Sequence, residues 1–288
     1  AEYGRSSSGV VSVSLKSGTN QLTGSAFEYF RDAALDAKNY FATEKAPFNR
    51  HQFGGAAGFP VVRNRTFLFL NLEHGVTRRS TTTVSTLPTV ANRSGQFQRP
   101  VIDPLTGRPF ADNTIPASRI DPAAARVLAL VPLPQTGAAT NNYVFNSPSD
   151  QDTRSWNVRL DQVLGPGQNL YVRGSSQRKG DAASSALPAD AQGNYVTGGA
   201  NEVSDAKSAT IVHNGVWSPS VVSAIRVGWN RLTWDNLLDQ PLRGVGIPGV
   251  DTANPGFSQI AITGYRSLGI SNVPNFDDST NYQLSGDV

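Results

Sequence analysis

The chain has no cysteine, no methionine and no long apolar run. Without cysteine there can be no disulfide, no thiolate nucleophile and no cysteine-ligated metal. No segment approaches the roughly 20 apolar residues that a membrane-spanning helix requires, so any membrane insertion must use strands. A formal net charge of +3 is too small to indicate a nucleic-acid partner. The arrangement of segments along the chain is therefore the main guide to function.

Apolar content is low for a chain of this length. Hydrophobic residues make up 38% of the 288 residues, and mean hydropathy is -0.30. A soluble fold of this composition would have a thin core, whereas a β-barrel with a wet lumen needs only one apolar side on each strand. The chain also begins and ends inside recognisable segments, at residues 1–3 and 282–284, so we expect it to be an internal fragment of a longer protein.

Strand-like segments come in pairs, with a tight turn inside each pair and a long polar loop between pairs. The strand candidates are residues 9–20, 24–31, 53–59, 67–73, 156–164, 170–174, 209–217 and 221–234. The predicted long loops are residues 32–50, 80–150, 179–203 and 236–276. Short turns at one end and long loops at the other are typical of an outer-membrane β-barrel. We therefore predict an all-β fold, a partial antiparallel transmembrane barrel of about seven to eight strands.

Alternation assigns several polar side chains to one face of these strands. The residues predicted to line a lumen and to be available to a ligand are Asn157, Arg159, Asp161, Arg173 and Arg226. Apolar residues such as Val158 and Leu160 would face the other way. On a soluble sheet the same polar residues would form a solvated face. The four tryptophans are expected near strand ends, where a membrane barrel has its aromatic girdles.

Two local patterns give further expectations. The strand candidate 53–59 contains Gly54, Gly55 and Gly58, so it needs a closely packed neighbour, which a plug inside the lumen would supply. Within the loop 80–150, Asp121 can cap a helix over residues 123–130, with Pro122 in its first turn.

Residues suited to catalysis or metal binding are few. His51, His74 and His213 lack metal-ligand spacing. Loop carboxylates such as Asp103 and Asp121 could form the acid pair of a glycoside hydrolase, although capping of turns is their commoner role. We expect no enzyme activity, no cofactor and no metal.

Several segments together resemble TonB-dependent outer-membrane receptors. AEYGRSSSGVVSVSLKSGTN (1–20) is similar to the end of their plug domain, where G-G-x-I/V-N-V-x-T-K-S-G-T-N leads into the barrel. Ser8 and Ser14 depart from the glycine and threonine often found there. GSAFEYFR, LDAKNYF, QFGG, GFP and RTFLF look like the family's first strands and first loop. IPASRIDP (115–122) resembles a loop motif of the Oar-like subgroup, which usually carries a carboxypeptidase-regulatory-like domain.

The resemblance implies a division of the chain and a set of partners. Residues 1–20 would be the C-terminal end of the plug, and 21–288 the N-terminal part of a roughly 22-stranded barrel. The protein would lie in the outer membrane of a Gram-negative-type bacterium, contact its lipid and bind an unknown ligand at extracellular loops. Coupling to the inner-membrane TonB complex would use a region absent from this chain.

Two other interpretations stay open at this point. The first is a soluble or surface-attached β-sandwich that binds glycans or serves as a structural module, in which a second sheet would cover the apolar faces. The second is a secreted β-rich hydrolase that uses the loop carboxylates.

Overall fold

The computed structural model describes residues 15–38, 40, 45–182, 185–190, 195–197, 199–238, 259–269 and 274–288. Within them the chain forms nine strands: β1 (Thr23–Asp32), β2 (Phe48–Val62), β3 (Thr66–Ser85), β4 (Tyr143–Pro148), β5 (Gln151–Gly165), β6 (Gln168–Asp181), β7 (Ala200–Ser218), β8 (Val221–Leu238) and β9 (Asn275–Asp287). The connections hold two α-helices, α1 (Val90–Arg93) and α2 (Pro122–Leu130), and 3-10 turns at Ala33–Leu35, Ala111–Asn113 and Ala117–Arg119. No helix in this part of the chain is both long and apolar enough to cross a membrane.

The strands form one antiparallel sheet in the order β1-β2-β3-β5-β6-β7-β8-β9, and the short β4 pairs with the far end of β3. The two outer strands, β1 and β9, do not pair with each other, so the sheet is open. Each long strand therefore lies beside its nearest long neighbour in the chain, as in a meander. This confirms the all-β prediction. The sheet has nine strands, eight on the main path and the short β4 beside β3, where the sequence predicts seven to eight.

Connections alternate in length along the sheet. Strands β2 and β3, β5 and β6, and β7 and β8 are joined by tight turns, in which Asn64 and Gly167 adopt positive φ angles of 60° and 68°. Asparagine and glycine are the residues that tolerate this backbone conformation most readily. Apart from the two-residue link from the short β4 to β5, the other connections are long, so one end of the sheet carries tight turns and the other carries large loops.

The register gives the sheet an apolar face and a polar face. A row of apolar residues runs directly across seven neighbouring strands: Phe59, Leu68, Leu160, Val172, Ile211, Val227 and Leu284. Exposure of Ile211 and Val227 is 47% and 48%, and no second sheet covers this face in the described residues. The structure therefore does not favour the sandwich interpretation.

Strands extend further toward the large loops than the sequence predicts. The sequence predicts a loop over residues 80–150, but residues 80–85 and 143–148 belong to β3 and β4 and pair with each other. The reason is that Thr81, Thr82 and Thr83 are β-branched and suit a strand although they carry no apolar alternation. Because the strands are longer, Trp156 and Trp229 lie inside β5 and β8, not near their ends.

An isolated chain should not remain monomeric in aqueous buffer. Strands β1 and β9 leave two open edges, and Leu284 on β9 is 79% exposed. We expect the refolded 288-residue chain to sediment as large aggregates in buffer and to stay dispersed in detergent micelles. Analytical ultracentrifugation in both conditions measures this, and a sharp, cooperative melt of a monomer without detergent would contradict it.

Candidate functional site

Residues 15–20 lie on the polar face of the sheet, against β2, β3 and β5. The buried Gly18 has its backbone so close to the strands that an added Cβ would lie 2.5 Å from Leu68 O and 2.9 Å from Phe59 O. Only glycine fits there. Of the strand predicted at residues 9–20, the first six lie outside the described residues, and 15–20 are not a strand. This segment is held by side-chain and backbone contacts with the polar face and not by strand pairing.

The glycines of β2 allow this close approach. A Cβ at Gly58 would lie 3.3 Å from the Cα of Gly18, and one at Gly54 would lie 2.9 Å from the ring of Phe27. Such contacts explain a glycine-rich sequence inside a strand. The expectation of a closely packed neighbour is confirmed at Gly58.

Arg159 joins this segment to the sheet. Its Nη1 donates to Leu15 O at 2.9 Å, while Nε and Nη2 donate to the carboxylate of Asp161, the latter at 2.7 Å. The guanidinium also lies 4.1 Å from the centre of the Tyr171 ring. Such a charge-assisted fork with a stacked ring fixes the side chain, which is only 17% exposed.

The five residues predicted to line the lumen share the polar face, but they do not form one cluster. Arg173 lies directly opposite Arg159 and donates to Thr210 Oγ1 at 3.2 Å. Asn157 donates to Asn71 Oδ1 at 3.2 Å. Arg226 lies further along the sheet, opposite Val212, and pairs with Asp287. Each of the five makes an interaction within the protein.

A second contact holds the segment at the end that carries the tight turns. Asn20 Nδ2 donates to Asn64 Oδ1 at 2.6 Å, and the Asn64 backbone N–H donates to Asn20 Oδ1 at 2.7 Å. Asn64 is in the turn between β2 and β3. The segment is therefore tied at Leu15 to the middle of β5 and at Asn20 to a turn.

At the opposite end of the sheet, three long connections fold together into a cap, which we define as the described residues of 86–150, 182–199 and 259–269. They share one hydrophobic core. Its buried members are Leu87, Val127, Val131, Tyr143, Leu187, Val196 and Leu268. Almost all the fully buried apolar residues of the described chain lie here, whereas the sheet contributes little beyond Val212.

Helix α2 supplies part of this core. Asp121 accepts a hydrogen bond from the Ala123 N–H at 2.6 Å, Pro122 begins the helix, and Val127 is buried. This confirms the helix that the sequence predicts. Arg93 closes its other end by donating to Leu128 O and Val131 O, both at 2.8 Å. Burial lowers the pKa of the Arg93 guanidinium.

Buried polar groups connect the loops to one another. The Asn142 side chain, 1% exposed, accepts from the Leu87 N–H at 2.8 Å and donates to Leu87 O at 2.9 Å. The β8–β9 connection is held by the Arg266 N–H, which donates to Thr86 O, and by the Gly269 N–H, which donates to Val196 O. The cap is therefore a single folded unit built from three loops.

The loop carboxylates have structural partners. Asp121 caps α2, and Asp103 forms a two-point pair with Arg119. No group of three or more histidine, cysteine, aspartate or glutamate side chains among the described residues could hold a metal ion. Asp121 therefore has a capping role, and Asp103 a role in pairing with Arg119.

Sequence reasoning missed the shared core of the cap. The apolar stripe of α2 around Val127 is visible in the sequence, but the other apolar members are single residues set among polar and turn-forming residues, so they have no periodicity to detect. The one available signal was that leucine and valine recur in loops otherwise rich in polar residues.

Replacing Leu187 by alanine should loosen the whole cap. The side chain is fully buried at the meeting point of the three loops, so its loss should cost about 2–4 kcal/mol of cap stability. Native-state hydrogen exchange of the cap amides in the detergent-purified protein measures the opening free energy. Leu105→Ala is the matched control, because Leu105 is 79% exposed in the same cap. Equal effects of the two substitutions would disprove the shared core.

The Asp103–Arg119 pair should make the cap sensitive to acid. Hydrogen bonds from Arg119 hold the pKa of Asp103 below its ordinary 3.8. A lowered pKa adds stability above pH 3.8 that is lost as the pH falls through the folded-state value. The protection factors of the cap amides, which correct for the pH dependence of intrinsic exchange, should therefore fall below this pH, and Asp103→Asn should remove that component. An unchanged acid profile in Asp103→Asn would contradict the assignment.

Comparison with known proteins agrees with this architecture. The model of a protein family described as outer membrane beta barrel domain matches residues 14–288. No curated protein and no solved structure matches the chain. Because the family match spans nearly the whole sequence, the chain belongs to the outer membrane beta barrel domain family.

Proposed function

We propose that this chain is part of a TonB-dependent outer-membrane transporter of the Oar-like subgroup. The transporter would bind a ligand at its extracellular loops and admit it through a plugged barrel, using energy from the inner membrane. The observation that carries this proposal is the segment 15–20, which is held against the polar face by Arg159 and Asn64. It leads N-terminally toward residues that resemble the end of a plug.

Orientation follows from the two ends of the sheet. In outer-membrane barrels the short turns are periplasmic and the long loops extracellular. The cap would then face the cell exterior, and the Asn20–Asn64 contact would lie at the periplasmic side, where an inner-membrane partner pulls. The apolar row from Phe59 to Leu284 would meet outer-membrane lipid.

Strand length supports this arrangement. A tilted spanning strand needs about 9–11 residues, whereas β7 has 19 and β8 has 18. The additional residues would raise the sheet above the membrane surface and carry the cap. A cap with its own core is a preformed surface on which a ligand could be captured.

The contacts of segment 15–20 suit a gate. They are one hydrogen bond from Arg159, a pair of hydrogen bonds with Asn64 and the close packing of Gly18. A neutral hydrogen bond contributes only about 0.5–1.5 kcal/mol net and one from a charged group about 1.5–3 kcal/mol, so a pulling force could break these bonds in sequence. Arg159 would remain paired with Asp161 after release, which avoids leaving a buried charge alone.

A reversible crosslink tests the gate. These 288 residues contain no cysteine, so in a full-length protein freed of any cysteine elsewhere, Asn20→Cys with Asn64→Cys can be bridged by a short bis-methanethiosulfonate reagent and released by reductant. Cells expressing it in yeast-extract medium should deplete at least one solute, measured by untargeted mass spectrometry. Bridging should lower that depletion at least tenfold, and reductant should restore it.

The control is Asn20→Cys alone with the same reagent, which should leave depletion unchanged. An uncoupler that collapses the proton motive force should stop the depletion of the solute. Depletion that continues after bridging, or in uncoupled cells, would show that this chain belongs to a passive pore.

A further inference from the structure

The polar face carries an uninterrupted row of amide and hydroxyl side chains. The row crosses six neighbouring strands directly, through Asn71, Asn157, Ser175, Ser208, Asn230 and Asn281. Ser175 and Ser208 hydrogen bond to each other at 2.7 Å. No charged residue interrupts it, which distinguishes this row from the rows on both sides that contain Arg159 and Glu73.

A groove of about 550 Å³ lies along this row over β5 to β9. Toward the cap the next row on the same face is mixed: Gln177 and Ser279 are polar, and the apolar Ala206 and Leu232 lie between them. The volume falls within the range of roughly 300–1,000 Å³ that is usual for small-molecule sites. Residues 15–20 contact β2, β3 and β5. Within the described residues they leave the polar face from β6 to β9 uncovered.

The charged side chains near the groove form ion pairs or hydrogen bonds within the protein. Arg159 is held by Asp161, Arg173 donates to Thr210, and Glu73 accepts from Gln52 at 2.6 Å. Lys207 and Arg231 border the groove along the strands, but alternation directs their side chains to the opposite face, where they pair with Asp205 and Asp278. The row itself carries no charge, so a charged ligand lying along it would lose hydration without gaining a counter-charge from the row; within the described residues, the one nearby guanidinium held only by a neutral hydroxyl is that of Arg173 in the adjacent row.

The amides of the groove retain hydrogen-bonding capacity. Within the described residues, the side chains of Gln177, Asn230 and Asn281 donate to and accept from no other protein group. Each amide has two N–H donors and a carbonyl acceptor. An apolar ligand would strip water from these groups and leave them unsatisfied. Each hydroxyl of a neutral, hydroxyl-rich ligand can donate and accept a hydrogen bond, so such a ligand can pair with both the N–H donors and the carbonyl acceptor of these amides.

We propose that this row is a binding subsite for an uncharged, hydroxyl-rich ligand, a neutral oligosaccharide, on its way through the barrel behind the cap. The inference rests on the proposed transport function and adds a substrate class to it. The in-register row would give such a chain-like ligand a series of equivalent contacts about 4.8 Å apart, one on each strand.

Titration calorimetry on the full-length protein in detergent tests the subsite. The probes are maltohexaose, cellohexaose and xylohexaose as neutral sugars, and hexagalacturonate as a charged one. At least one neutral sugar should bind more tightly than hexagalacturonate. Asn230→Ala with Asn281→Ala removes two amides, and should weaken that binding by about 10-fold to 30-fold.

Asn275→Ala is the matched control. Asn275 is also an amide on the polar face of β9, but it lies six residues from Asn281, about 20 Å along the strand. It should leave the affinity unchanged. A heat-modifiable shift on a gel, retained in every variant, verifies that the barrel is folded.

Three results would overturn the subsite: no binding of any of the three neutral sugars, tighter binding of hexagalacturonate, or equal losses in the double variant and in Asn275→Ala. None of them affects the crosslink experiment, which reads energy-dependent depletion of any solute. Conversely, sugar binding that depends on Asn230 and Asn281 in a protein whose depletion is unaffected by bridging would retain the subsite and remove the gate.

Discussion

The backbone hydrogen-bond ladder fixes the register of the sheet, and the two faces depend on that register. Because opposite residues of antiparallel strands share a face, alternation within each strand becomes a row across the sheet. A slip of one residue in any strand would place its apolar side chains in the polar row. The register shifts occur beside the tight turns, at Pro60–Val62, Val163–Gly165 and Val216–Ser218, where they leave the rows intact. These β-bulges accommodate the geometry of the turns at the strand ends, so the central parts of the strands keep their register.

The same ladder explains why the hydrophobic core of the described residues lies in the loops. A single sheet with one apolar face and one polar face buries few side chains within itself. The three long connections of the cap lie beyond the apolar rows, so they must fold in contact with water. Ordering costs roughly 1–2 kcal/mol per residue in backbone entropy, which isolated loops could not offset. By sharing Leu87, Leu187 and Leu268 in one core, each loop gains burial that it could not obtain alone.

Sequence patterns predicted the parts of the fold that repeat and missed those that do not. Alternation around Val158 and Arg159, and turns such as Gly165 to Gln168, were sufficient for the strands, their faces and the asymmetry of the two ends. Asp121 and Pro122 were sufficient for α2. The threonine-rich end of β3 and the core around Leu187 were not predictable, because pairing with β4 and contacts between distant loops decide them, and neither leaves a periodic signal.

The polar face also shows why charge alone is a poor guide to a ligand site inside a barrel. Arg159 drew attention as a charged residue on a hydrophilic face, yet Asp161, Leu15 and Tyr171 satisfy its donors and its ring contact. Arg159 could donate a hydrogen bond to a ligand only by breaking one of these existing contacts. Asn230 and Asn281 carry no charge and are not among the predicted lumen residues, but their amides must bond to water or to a ligand. Residual hydrogen-bonding capacity, which the register reveals, is therefore the ground on which the subsite is proposed, and charge is not.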